Sequence, residues 1–231
     1  MTLSTPNYYF RFNGSTDLSS IGSSSGTLTN NSTTYDTKTI TQVGSRYFDS
    51  FSSNNLAPSG FSVTPFANSH TLVLLFFPVT VSGKSSYGLL ANSSSSSSYT
   101  KYVEFASSNG AITLHGGTAS VTFTPGSWSM DKWHQLVITC RSDGTIDVYL
   151  DGSKIGSTTS STIGSTTMYY IGKGAASHYL HGYIDEIMYN TSEITDAQVL
   201  ELYNSGKLAY YDSSQWVYPV NDSIALFWSE F

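Results

Sequence analysis

The chain is short of charge and of covalent cross-links. Of 231 residues only ten are Lys or Arg and sixteen are Asp or Glu, and there is a single cysteine. A lone Cys140 excludes an intrachain disulfide, so the fold must rest on burial; set in an apolar run, the thiol reads as core. The basic residues are scattered from Arg11 to Lys207 without a run or a helical stripe, which leaves no footprint for counterion release from DNA or RNA. No apolar run is long enough for a membrane helix, which takes ~20 residues: the longest, Thr71 to Val81, is broken by Pro78. Membrane insertion is therefore not expected. Met1 to Ser15 shows neither a basic nor an apolar leader segment, so export by a cleaved signal is not expected either. Repeats at the periods of solenoids or propellers are lacking.

What is abundant is the material of β-sheets. Aromatic residues make up 14% of the chain, 17 of them Tyr, and Ser, Thr and Asn supply the polarity that ions do not. Tyr8, Phe10 and Phe12 alternate with Tyr9 and Arg11; Ile112 and Leu114 alternate with Thr113 and His115; Val121 and Phe123 flank Thr122. Period-two alternation of this kind marks half-buried strands. Asp143-Gly144 and Asp151-Gly152 each separate two such runs, and Asp-Gly supplies the positive φ of tight hairpins. Three antiparallel strands are predicted: Trp133 to Arg141, Thr145 to Leu150 and Lys154 to Thr158. The middle one should bury Ile146, Val148 and Leu150 and show Asp147 and Tyr149 on its other face.

One helix is expected. Thr195 is its N-cap, Gln198 completes a capping box, Ile194 can staple onto Val199, and Asp196 suits the positive helix end. Val199, Leu202 and Tyr203 form its apolar stripe and Gly206 its stop. Such a short helix is expected to plug one end of a sandwich. The serine tracts Ser23 to Ser25 and Ser93 to Ser98 read as loops.

Several segments, in order, resemble the laminin G-like family of concanavalin A-like lectins and glucanases. They are Asn7 to Gly14; Gly44 to Asp49, ending in Tyr47-Phe48-Asp49; Thr71 to Pro78; Trp133 to Thr139; Tyr149 to Gly152; and Gly182-Tyr183-Ile184-Asp185-Glu186-Ile187-Met188-Tyr189 before the capped helix. The resemblance implies an all-β fold, a two-sheet antiparallel jelly-roll sandwich with one short C-terminal helix. It assigns residues 1–206 to the sandwich and leaves 207–231 as an aromatic-rich extension packed on the domain or on a neighbouring subunit. It also implies a sugar- or protein-binding module, often with one calcium at the rim, and seldom a catalyst.

The family's calcium positions map to Asp49, Asn54, Asn55 and Asp185, with Ser50 where the family usually has Gly and with asparagines where it often has an aspartate. Fewer charges mean weaker calcium binding. Glucanase relatives place their acids at i and i+2 on one strand face; here Asp185 and Glu186 are adjacent, and strand neighbours point to opposite faces, so no catalytic dyad is expected. No serine has a nucleophile-elbow context, and the chain is read as a non-enzyme. His178, Tyr179 and His181 could line a ligand rim, where rings stack on sugar faces and polar tips bond hydroxyls. Tyr99, Tyr102, Tyr169, Tyr170 and Trp128 are further candidates for stacking.

Two features point to self-association. Leu72 to Phe77 is apolar on both faces, so its outer face is either covered or an interface. The extension carries Trp216, Tyr218, Phe227, Trp228 and Phe231, candidates for a homo-oligomer or neighbour contact. The leading expectation is a virion-surface structural protein, a phage capsid decoration or fibre component whose partners are other virion proteins or itself, possessing a lectin-like fold in contact with host glycans. The alternative is a freestanding carbohydrate-binding module of a microbial cell surface, extracellular and calcium-dependent.

Overall fold

The computed structural model describes residues 3–12, 18–36, 45–49, 54–92, 101–174, 178–203, 209–212 and 215–217. In chain order the first strands are β1 (Tyr8–Arg11), β2 (Thr27–Asn31), β3 (Thr34–Asp36), β4 (Ser45–Phe48), β5 (Asn55–Ser59) and β6 (His70–Pro78). There follow β7 (Ser86–Ala91), β8 (Lys101–Ala106), β9 (Ile112–Gly116), β10 (Ser120–Phe123), β11 (His134–Cys140), β12 (Thr145–Leu150) and β13 (Ser153–Thr159). The chain continues with helix α1 (Ser160–Ile163), β14 (Tyr170–Ile171), β15 (Gly182–Asn190), helix α2 (Asp196–Tyr203), β16 (Tyr210–Asp212) and β17 (Gln215–Val217).

The expected sandwich is present. One sheet of eight strands runs β13-β12-β11-β6-β15-β4-β3, with β1 also paired to β15; the other, of seven, runs β10-β9-β8-β7-β14-β5-β2. Every strand pair is antiparallel. Alternate side chains from both sheets meet in one core. Leu72, Leu74, Phe76, Leu136, Ile138, Ile146 and Val148 come from the larger sheet, and Leu56, Leu90, Val103, Phe105, Ile112 and Leu114 from the smaller. Cys140 is fully buried there, and burial pushes its thiol up to about 11, so it packs as a small apolar group.

The two Asp-Gly turns work differently. Asp151 and Gly152 both take positive φ, 51° and 75°, as a two-residue hairpin requires. At the other turn only Gly144 is left-handed, φ 85°, and the Asp143 side chain instead accepts from Thr145 N at 2.8 Å.

Strict alternation fails in β15. Its ladder with β6 shifts between Ile184 and Ile187, pairing Ile184 with Phe76 and Ile187 with Leu74. Two residues thus oppose one, a bulge that turns both Ile184 and Ile187 into the core although they are an odd number apart. The opposite-faces expectation for Asp185 and Glu186 assumed a regular strand, and the bulge falls at these two residues. On its other edge β15 pairs first with β4, over Gly182 to Ile184, and then with β1, over Glu186 to Tyr189.

Helix α2 has the expected entry chemistry: Gln198 Oε1 accepts from Thr195 N at 2.9 Å, and Gln198 N donates to Thr195 Oγ1 at 3.2 Å. Its position differs from the sequence expectation. Rather than plugging an end, it lies on the outer face of the larger sheet, where Ile194, Val199 and Leu202 pack with Val73, Val137, Tyr149 and Met188. The reason is the two-sided apolar character of β6. Its even residues fill the core, and its odd residues, Val73, Leu75 and Phe77, need a second cover. The β16-β17 hairpin extends that cover. Trp216 packs edge-on to Tyr9 and Tyr211, and its Nε1 donates to Ser4 O at 3.0 Å. Asp147 and Tyr149, on the outward side of β12, are consequently buried as well. Asp147 is held by Arg141, Lys154 and Ser157, and Tyr149 by Asp196. Burial raises the Asp147 pKa, but those donors more than offset it and leave the carboxyl below its usual range. α1, a single turn in a Ser/Thr stretch, was not anticipated.

Candidate functional site

The outer face of the smaller sheet is built from the polar half of the same alternation. In β8, Val103 and Phe105 point inward, so Tyr102 and Glu104 point out; in β9, Ile112 and Leu114 point inward, so Thr113 and His115 point out. The registers line these residues up in two rows. Tyr102, His115 and Ser120 are direct cross-strand partners, as are Glu104, Thr113 and Thr122. Tyr102 stacks on His115 with ring centroids 3.8 Å apart, and Thr113 Oγ1 lies 2.9 Å from Thr122 Oγ1.

A small hairpin walls this floor on one side. After β14, Gly172 takes φ 82°, Lys173 bridges to Tyr179, and Gly174 N donates to His178 O at 2.7 Å. The hairpin lies directly on Gly88 of β7: a Cβ there would meet Gly174 N at 1.8 Å and His178 O at 2.0 Å, so only glycine permits the approach. Gly88 is the cross-strand partner of Glu104, which brings His178 over the floor. His178 Nδ1 reaches Glu104 Oε2 at 2.6 Å, while His115 Nε2 reaches Glu104 Oε1 at 3.3 Å. Burial would raise the Glu104 pKa, but hydrogen bonds and charge from the two imidazoles outweigh it and hold the carboxyl at about 2. Lys173 Nζ lies over the rings of both Tyr170 and Tyr179, at 4.8 and 5.3 Å. The result is a ledge: a floor of hydroxyls and one stacked ring pair, beside a wall carrying imidazole and phenol groups, with the Lys173 ammonium buried against the two tyrosine rings.

The other residues singled out from sequence fall elsewhere. His181 leaves the hairpin in the opposite direction, toward the larger sheet, where Asp49 Oδ1 is 3.5 Å from its Nδ1 and Tyr47 Oη 3.3 Å from its Nε2. Burial lowers the His181 pKa against the pull of Asp49. The rim trio expected from sequence is therefore split, with His178 and Tyr179 at the ledge and His181 at a second cluster. The four calcium candidates are not gathered into one shell. Phe48 pairs with Gly182, so Asp185 sits three further residues along β15 from the end where Asp49 emerges, roughly 10 Å at about 3.3 Å per residue. Asn55 Oδ1 already accepts from Asn31 Nδ2 at 2.8 Å, whereas the buried Asn54 Oδ1 has no hydrogen-bond partner among the described residues. No cluster of three or more His, Cys, Asp or Glu side chains suited to a metal ion occurs among the described residues.

Asp185 and Glu186 are 0% and 2% exposed, which removes both from any substrate. Glu186 lies 3.6 Å from Arg11 Nε and borders a small cavity with Tyr9, Gln135, Leu202 and Trp216; its volume of about 10 Å³ suits one water, not a sugar. Of the interface candidates, Trp216 packs on its own domain; Tyr218, Phe227, Trp228 and Phe231 lie outside the described residues.

A laminin G-type family of the concanavalin A-like lectin/glucanases superfamily matches residues 44–200. The chain belongs to that superfamily. Among curated proteins no sequence matches. Among solved structures, this concanavalin A-like domain is similar to domain 4 of AbnA, an extracellular arabinanase from Geobacillus stearothermophilus solved with arabinotriose. The TM-score is 0.60 at 16% identity, covering 85% of this chain and 97% of that one. It is also similar to the binding domain of Paraclostridial Mosquitocidal Protein 1, with TM-score 0.64, 10% identity, and 87% and 52% covered. A third is the ligand binding domain of botulinum neurotoxin serotype D solved with N-acetylneuraminic acid, with TM-score 0.62, 10% identity, and 86% and 50% covered. The chain thus spans nearly all of the arabinanase domain but about half the length of the toxin domains, and at these identities the likeness is one of fold.

Within the concanavalin A-like frame, Glu104 and His115 are the residues that sequence reasoning passed over. Alternation alone puts both outward, but only the β8-β9 register, Tyr102 opposite His115, shows that they share a site with Tyr102.

Proposed function

We propose that this domain is a non-catalytic glycan-binding module, acting at an extracellular or cell surface, whose ligand lies on the ledge of the smaller sheet. The observation that carries this reading is the difference between the outer faces. One is sealed by the chain itself, while the other keeps a fixed, polar and ring-bearing floor open to solvent. Stacked rings beside clustered hydrogen-bonding groups are what a sugar's apolar face and hydroxyl rim require. The test is a glycan array followed by calorimetric titration of the strongest hit. Tyr102→Ala should abolish measurable binding while the domain stays folded; binding that survives Tyr102→Ala rejects the ledge.

Calcium is proposed only in a narrower form, as a stabiliser of the rim near Asp49 and Asn54, with Asp185 excluded from its ligands. An unchanged melting temperature between calcium and chelator removes it, and no part of sugar binding on the ledge passes through the ion.

The second reading is the virion-surface assembly role, with host glycans as its contact. What favours it is the edge strand β13, which pairs only with β12 among the described residues and exposes Ser153, Lys154, Ser157 and Thr159. The other expected support is weakened, because the outward face of β6 is covered intramolecularly. Light scattering after gel filtration decides: a stable oligomer favours assembly, and a monomer at high concentration favours the freestanding module.

A further inference from the structure

Gln135 is a polar exception on the sealed face. Leu136 and Ile138 of β11 fill the core, so Gln135 points outward beside Val137, beneath the cover laid over the larger sheet. The backbone fixes it there: Gln135 N donates to Asp151 Oδ1 at 2.9 Å, and Gln135 O accepts from Asp151 N at 2.9 Å. The residue is 1% exposed, and its side-chain Oε1 has no hydrogen-bond partner among the described residues. Leaving a buried amide oxygen without a donor costs more stability than an ordinary hydrogen bond gains. Such atoms are therefore nearly always satisfied, by protein or by ordered water.

Gln135 and its cross-strand partner Leu75 border the small cavity beside Glu186, and every residue lining that cavity except Trp216 is buried. We propose that the cavity is a binding site for one structural water, which donates one hydrogen bond to Gln135 Oε1 and the other to the Glu186 carboxylate. Size, polarity and charge together select water. A volume of about 10 Å³ holds a single oxygen-sized molecule. Gln135 Oε1 and the carboxylate both accept, so an anion has no donor to meet. The Tyr9 phenol donates to Glu186, and a carboxylate with about four lone pairs has room for a further donor. Arg11 is the cross-strand partner of Glu186 and lies 3.6 Å from it, balancing its charge. A metal ion or ammonium would therefore leave excess positive charge under the cover, where burial makes it costly. A water brings two donors and no charge. Strands β11 and β15 lie beneath it and Leu202 of α2 and Trp216 above, which makes it part of the joint between the sheet and its cover.

Water-to-protein cross-relaxation NMR on the full chain tests the site. Cross-peaks of the sign given by a long-lived internal water should join the solvent signal to the methyl protons of Leu75, Met188 and Leu202, side chains with no exchangeable hydrogen of their own. Gln135→Met has similar length without the oxygen and should lose all three, whereas Thr113→Val on the ledge should keep them. Should Gln135→Met not fold, a crystal structure of the unmodified protein takes its place, and it must show a solvent peak within hydrogen-bond distance of both Gln135 Oε1 and the Glu186 carboxylate. Absence of the cross-peaks from the unmodified protein overturns the proposal: the cavity is then dry, or the Gln135 amide is turned end for end and Nε2 donates to Glu186 directly. Cross-peaks that persist in Gln135→Met overturn it too, since Gln135 would not be what holds the water. Glycan binding at the ledge is untouched by either result.

Discussion

Strands β6 and β8 follow the same rule and meet opposite fates. Outward from β6 point Val73, Leu75 and Phe77; outward from β8 point Tyr102 and Glu104. The first set could not be left in water, and the chain covers it with α2 and the β16-β17 hairpin, taking Asp147, Tyr149 and Glu186 out of reach in the process. The second set is polar enough to stand exposed, and its neighbours fix it by stacking and by hydrogen bonds to imidazole. Two faces of one sandwich thereby differ in what they can do: the sealed face holds the fold, and the open face is the one proposed to meet a ligand.

The contrast can be broken most severely from the sealed side. Leu202→Ala, which removes the apolar anchor of α2, should cost about 3 kcal/mol in urea denaturation and leave glycan affinity unchanged at temperatures where the domain stays folded. A loss of affinity in the folded variant would tie the two faces together.

On the open side, Glu104→Gln should cost about 2 kcal/mol near neutral pH: a carboxyl held at about 2 against an ordinary 4.5 is worth at most about 3 kcal/mol, and Gln keeps one of the two acceptor oxygens. A depressed carboxylate pKa contributes stability that is full above about pH 4.5 and is lost as pH falls toward 2. The gap between the unmodified protein and the variant, followed by thermal melts at stepped pH, should therefore close on acidification. A gap that widens in acid would mean that the histidines do not hold this carboxylate.

Thr195→Ala opens the capping box of α2 and should cost about 1 kcal/mol of stability without touching binding. Smallest is Thr113→Val, on the floor of the ledge. It loses one exposed hydroxyl pair with Thr122, worth about 0.5 kcal/mol or less in stability, yet it should weaken glycan binding measurably by calorimetry.

Much of the sealed half was legible in the sequence. The Asp-Gly turns located the β11-β12-β13 meander, Thr195 and Gln198 located the helix start, and the doubly apolar β6 announced that something must lie on it. What lies on it was not legible, because the docking of α2 is set by long-range packing against Tyr149, Val137 and Met188 and not by its own 3.6-residue pattern. The open half was less readable. Tyr102 and His178 stood out as ring and imidazole, but they are joined through Glu104, whose role depends on the register of β8 with β9 and on a hairpin seated on Gly88. The bulge at Asp185 and Glu186 gave no local signal, since neither glycine nor proline marks it, and it interrupts the alternation on which the reading of the two acids rested.

The most direct test of the central claim is amide hydrogen exchange with and without the strongest array glycan at saturation. Slowed exchange should appear in β8, β9, β10 and Lys173 to Tyr179, with α2 and β16-β17 unchanged. Protection confined to the α2 face, or to the cluster of Asp49, Tyr47 and His181, would contradict the assignment of the ligand to the open sheet.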